Sequence, residues 1–153
     1  LMFLILFRNV ILSLIGVVPN FIAAFFILGI IGLMGIPLDM MTITIAAITI
    51  GIAVDNSIHY IYRFKEEFNK IQNYNNTLDK CHSSVGIAIL NTSITIVFGF
   101  SILVLSNFIP TIYFGIFTGI AMLLAMISVL TLLPQLILIF KPFGQETLVQ
   151  NYD

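Results

Sequence analysis

Most of this chain can rest only in hydrocarbon. Residues 10–35, 40–63, 85–106 and 109–140 each run on apolar side chains for the roughly 20 residues that an α-helix needs to cross a bilayer. In lipid the backbone has no water to bond, so each run must close its own hydrogen bonds as a helix. Residues 1–7 (LMFLILF) read as the end of one more span. Composition agrees. Of 153 residues, 59% are hydrophobic and 8% are charged, where a soluble domain carries about a quarter charged. The expected fold is all-α: a polytopic transmembrane helix bundle made of the end of one span plus four complete spans.

The breaks between the spans are equally legible. Gly35 to Asp39 (GIPLD) and Ser106-Asn107 read as short turns. Residues 64–80 (FKEEFNKIQNYNNTLDK) read as an amphipathic helix or loop at the membrane surface, and residues 142–153 as a polar tail. Pro19 and Pro134 fall inside spans and are expected to kink them. The apolar opening at Leu1 has no basic region or cleavage site, so the chain is read as the tail of a longer protein and not as a signal peptide.

Charge placement sets the orientation. With the spans alternating in direction, Arg8, Arg63, Lys65, Lys70, Lys80 and Lys141 all fall on one side, and these are all six Lys and Arg. The positive-inside rule makes that side cytoplasmic. The C-terminus is then cytoplasmic, in the plasma (inner) membrane. Six scattered basic residues form no nucleic-acid footprint. A single cysteine, Cys81, allows no intrachain disulfide and no metal-ligand spacing. No cofactor is implied.

One residue sits in the wrong solvent. Asp55, in GIAVDNSIHYIYRF, comes sixteen residues after Asp39 and eight before Arg63. At 1.5 Å rise per residue this leaves it about 12 Å of helix from the basic edge, too deep for so short a side chain to reach water. A helical wheel places Thr44, Gly51, Asp55, His59, Tyr62 and Glu66 on one arc and Thr42, Thr49, Asn56 and Arg63 on a second beside it. Ile45, Ala46, Ala53 and Ser57 occupy the remaining, mostly apolar or small face. The polar stripe must therefore look into protein or a water-filled crevice, with Gly51 leaving room for a neighbour.

Two roles are open to Asp55. An unpaired carboxylate in hydrocarbon favours its neutral form, so it can take a proton from one side and release it to the other as its surroundings alternate. Alternatively it is packing glue, paired to Asn56, His59 or a neighbour's hydroxyl. His59, one turn on, is either a proton relay or an interface residue. Asn91, Thr92, Ser93 and Thr95 lie at similar depth in the next span. They either bond or hydrate the carboxylate, or bond back to their own helix. Thr118, Ser128 and Thr131 read as packing.

The run GIPLDMMTITIAAITIGIAVDNSIHYIYRFKEE, followed by NTSITIVFGFSILVLSNFIPTIYFGIFTGIAMLLAMISVLTLLPQLILIFKPFG, resembles the C-terminal membrane half of resistance–nodulation–division (RND) exporters. The resemblance is to the MMPL-type, Patched-like branch, whose five-helix unit overlaps the sterol-sensing domain. It covers essentially the whole chain. It implies half of a pseudo-repeat in a twelve-helix protein, and it implies trimeric or monomeric proton-driven exporters of lipids or other hydrophobic compounds. It carries the proton relay over to Asp55 and a relay-facing hydroxyl pair to Thr92 and Ser93. Where many relatives have two tandem acids, this chain has Asp55-Asn56, and Asn56 cannot titrate.

The expected function is therefore transport and not enzymatic catalysis, with the bilayer, a hydrophobic substrate and the remaining N-terminal half as partners, and with homo-oligomers within the range of such exporters. The alternative is a sterol- or lipid-sensing regulatory module without transport. An intramembrane aspartyl protease needs two neighbouring carboxylates, and the nearest other acid, Asp39, lies at the opposite surface.

Overall fold

The turns are set by local chemistry, and they decide where each long helix begins. The computed structural model describes residues 2–36 and 39–144. The turn residues Pro37 and Leu38, and residues 145–153 of the expected tail, lie outside the described residues. Six α-helices follow one another: α1 Met2–Phe7, α2 Val10–Leu33, α3 Met40–Ile71, α4 Tyr74–Cys81, α5 Ile87–Ser101 and α6 Ile109–Phe140. Asn9 caps α2 by accepting from the Ile11 N–H at 3.0 Å. Asp39 forms a capping box with Thr42: its carboxylate accepts from the Thr42 N–H at 3.0 Å, and the Thr42 hydroxyl accepts from the Asp39 N–H at 2.9 Å.

Among the described residues, four helical runs are long and apolar enough to cross a membrane: Val10–Leu33, Met40–Ile71, Tyr74–Leu105 and Ile109–Phe140. The third is composite. A π-helical turn, His82–Gly86, joins α4 to α5, and a 3₁₀ turn, Ile102–Leu105, ends the run. The helices reach past the apolar segments. Residues 64–80 do not form one surface element but are shared between two helix ends. α3 runs on to Ile71. Gln72 then reverses the chain in the left-handed region (φ 51°), and Asn73 caps α4 by accepting from the Asn76 N–H at 3.2 Å. Pro19 and Pro134 both lie within continuous helices.

α2, α3 and α6 pack mutually, and α5 packs on α6. Ala23, Ala53 and Ala125 form a small-residue cluster where α2, α3 and α6 meet, which lets their backbones approach closely. One turn away the contact is polar. The Asn20 amide donates to the Gly16 carbonyl at 2.8 Å and accepts from the Ser57 hydroxyl at 3.2 Å. The Ser128 hydroxyl donates to the Pro19 carbonyl at 2.8 Å. Ser57 belongs to the face read as apolar or small, and Ser128 to residues read as packing. Together with Asn20 they tie α2, α3 and α6 through buried hydrogen bonds.

Asn20→Ala removes the donor to Gly16 and leaves the Ser57 hydroxyl without this acceptor. We expect a loss of about 1–2 kcal/mol, since hydrogen bonds inside membrane proteins average well below ~2 kcal/mol each. Thermal unfolding in detergent micelles measures it, and an unchanged midpoint would show that the network contributes nothing.

At the end of the bundle where α3, α4 and α6 meet, the core is aromatic. Phe64, Phe68, Tyr74 and Phe143 stack at centroid distances between 4.4 and 6.4 Å. The Tyr74 hydroxyl donates to the Gly144 carbonyl at 3.1 Å and accepts from the Phe143 N–H at 3.1 Å. This clasp fixes the end of α6 against the α3–α4 turn.

Candidate functional site

The buried face of α3 determines what its polar stripe can do. Ile45, Thr49, Ala53, Ser57, Tyr60, Ile61, Phe64 and Phe68 are buried, at the three- and four-residue spacing of one helix face. That face meets α2 and α6. Thr44, Gly51, Asp55, His59 and Tyr62 lie on the other side and are exposed. The two polar arcs therefore separate: Thr42, Thr49 and Asn56 turn inward, and the Asp55 arc stays open.

Asp55 and His59 face each other one turn apart, with Nε2 to Oδ1 at 3.6 Å and both side chains about 70% exposed (70% for His59, 69% for Asp55). Asn56, next in sequence, is only 8% exposed. The three line one open groove of about 430 Å³ with Tyr62, Arg63, Val85, Ala88, Ile89 and Thr92. It lies between α3 and the start of α5. It remains open because α5 leans on α6 and not on α3.

The hydroxyls part company here. Thr92 lines the groove while its hydroxyl donates to the Ala88 carbonyl of its own helix at 2.9 Å. Thr95 bonds back to Asn91 in the same way, at 2.9 Å. Ser93 is 3% exposed and is not among the groove residues. Of the expected pair, therefore, only Thr92 shares the groove with Asp55, and its proton is committed to its own backbone.

Just beyond the groove, α3 carries a charge network. Arg63 pairs with Glu66 at 3.0 Å and with Glu67 at 3.1 Å, and Lys70 pairs with Glu66 at 3.0 Å and Glu67 at 3.3 Å. Glu67 is nearly buried at 8% side-chain exposure, and two cations compensate it, as a buried carboxylate requires. Arg63 is thereby held away from Asp55 by acids of its own helix. A separate contact joins the two helical runs: the Tyr60 hydroxyl and His82 Nδ1 lie 2.9 Å apart. Neither Tyr60 nor His82 stood out in the sequence, because only the hairpin packing brings them together. The π turn that begins at His82 is a local distortion frequent at functional sites.

Four membrane-length helices around a buried polar crossing, with a carboxylate in an open groove on one of them, define a polytopic α-helical membrane protein. The chain belongs to the MMPL family, whose model matches residues 1–150. It is 34% identical over 136 residues to a membrane protein of Methanocaldococcus jannaschii, covering 89% of this chain and 35% of that protein. It is 28% identical over 114 residues to the hopanoid transporter HpnN of Burkholderia multivorans, covering 71% of this chain and 12% of HpnN. The chain thus spans about a third of the first relative and about an eighth of the second. No solved structure matches it.

Proposed function

We propose that this chain forms part of a proton-driven exporter of lipids or other hydrophobic compounds, a carrier and not an enzyme, with Asp55 as the carboxylate that takes up and releases the proton. The reading is carried by the position of Asp55: on a membrane-spanning helix, beside His59, in a groove that no described residue closes. A carboxylate there is costly unless a neighbour or water meets it. The relation to a hopanoid transporter supports a hydrophobic cargo. The groove is the surface that the exporter's other membrane half would cover, since transport pathways form between such halves. On the positive-inside rule we read the side bearing the six basic residues as cytoplasmic, and the C-terminus with it, in the plasma membrane.

His59 positions and hydrates the carboxylate, and Asn56 supplies a hydrogen-bonding neighbour that cannot titrate, so this half carries a single proton site. The test is accumulation of a fluorescent lipid in inverted membrane vesicles, with and without an imposed pH gradient. Proton-coupled export requires accumulation to collapse when the gradient is dissipated. Gradient-independent accumulation would reject it in favour of another energy source, and lipid binding without accumulation would favour a lipid-sensing module.

A further inference from the structure

Two hollows follow one another along α3, and Tyr62 lines both. The first is the Asp55 groove, about 430 Å³, whose α3 wall is Asp55, Asn56, His59, Tyr62 and Arg63. The second, about 230 Å³, lies further along the helix and is lined by Tyr62, Lys65, Glu66 and Asn69. Asp55, His59, Tyr62 and Glu66 recur at intervals of four, three and four residues, so they stack on one helix face. At 1.5 Å rise per residue they cover about 16 Å, from the interior of the span to its basic end.

The lining calls for water. Asn56 is 8% exposed, and its amide has no hydrogen-bond partner among the described residues, a need that buried polar groups meet with bound water. Asp55 and His59, 3.6 Å apart, are too distant for a direct hydrogen bond, so both keep bonding capacity for water. The second hollow adds two charged groups, Lys65 and Glu66, and the Asn69 amide.

An aromatic ring stands between the two. Tyr62 is 64% exposed, so little packing holds its ring in one place. Arg63, the other bulky group at this level, is drawn aside by Glu66 at 3.0 Å and Glu67 at 3.1 Å. A ring lying across a polar passage excludes water from it, and a ring turned along the helix admits water.

We propose that the two hollows form one aqueous route by which Asp55 exchanges protons with the basic side of the membrane, and that Tyr62 is its gate. The gate acts through the bulk of its ring and not through its hydroxyl. This deepens the reading of Asp55 as the proton carrier and rests on it for the proton, whereas the passage itself can be probed without any transport.

In a full-length protein free of other cysteines, Thr92→Cys puts one thiol in the Asp55 groove. Right-side-out and inverted vesicles are treated with a membrane-impermeant methanethiosulfonate. Asn75→Cys, at an exposed position of α4, reports in parallel which vesicle face carries the basic side. The groove thiol should react from that same face. Tyr62→Ala should raise its rate at least about tenfold, since a minor open state is populated at about 10% or less. Tyr62→Trp should lower the rate, and Tyr62→Phe should leave it unchanged. No reaction from the Asn75 face, or a rate indifferent to both Tyr62→Ala and Tyr62→Trp, would overturn the proposal. Tyr62→Phe acting like Tyr62→Ala would overturn the gate by ring bulk. Full export by Asp55→Asn with the Tyr62 dependence intact would reject the proton's use of the route and leave the gated passage standing.

Discussion

Asp55→Asn lowers pH-gradient-driven export by at least about two orders of magnitude, the scale lost when a positioned proton-transfer group is removed. The substitution preserves the shape of the side chain and leaves an oxygen facing His59, whose Nε2 lies 3.6 Å from Asp55 Oδ1. What it removes is the capacity to alternate between charged and neutral forms. Because Asp55 is exposed in its groove and packs against neither α2 nor α6, the fold should be untouched, and the unfolding midpoint should match the parent. The measurement pairs initial export rate with proton movement followed by a pH-sensitive dye. Loss of both at unchanged stability is the expected outcome. Full gradient-driven export in the variant would remove Asp55 from the coupling, and the proposal has no second carboxylate here to fall back on, because its sequence neighbour is Asn56. His59→Gln should act more mildly, since it orients the carboxylate without replacing it.

The largest expected loss of stability is at Gly115. A Cβ there would lie 2.7 Å from the Phe100 carbonyl oxygen and 2.9 Å from Leu103 Cβ. These are atoms of or next to the backbone, so no side-chain rotation can relieve the clash. α6 and the end of the α5 run touch at this point because glycine lets them. Overpacking a tight site typically costs about 1–3 kcal/mol and occasionally more, so Gly115→Leu should destabilise by about 3 kcal/mol and Gly115→Ala by less. Gly119 provides the control. It is also in α6, but a Cβ there would meet nothing within 4 Å. Gly119→Ala should be neutral or slightly stabilising, because alanine favours helix over glycine by up to about 1 kcal/mol. Comparable losses at both positions, measured by thermal unfolding in the same detergent, would show that the close helix contact at Gly115 does not set the cost.

The two substitutions probe different layers of the same design. Gly115 acts on how α5 sits against α6, and that seating leaves the Asp55 groove open on the α3 side. A change at Gly115 that moved α5 would therefore alter the groove without touching its residues.

The helical class, the approximate positions of the long helices and the isolation of Asp55 follow from composition and hydropathy, because lipid tolerates little except closed helices. Asn9, Asp39 and Asn73 cap their helices through a few consecutive residues, a local signal that hydropathy does not carry. The wheel separated the two polar arcs of α3, but periodicity carries no information about which arc a neighbour will cover. Only tertiary packing turned Thr49, Asn56 and Ser57 inward and left Asp55 and His59 facing a groove. It also placed Thr92 in that groove and took Ser93 out of it. The Asn20–Ser57 and Ser128–Pro19 bonds, the Tyr60–His82 contact and the Tyr74 clasp join residues between 22 and 109 positions apart. Local sequence can state what such a residue needs. Which partner meets the need is decided by the crossing of α2, α3 and α6, where small side chains let three backbones come close enough for polar groups to bond away from water.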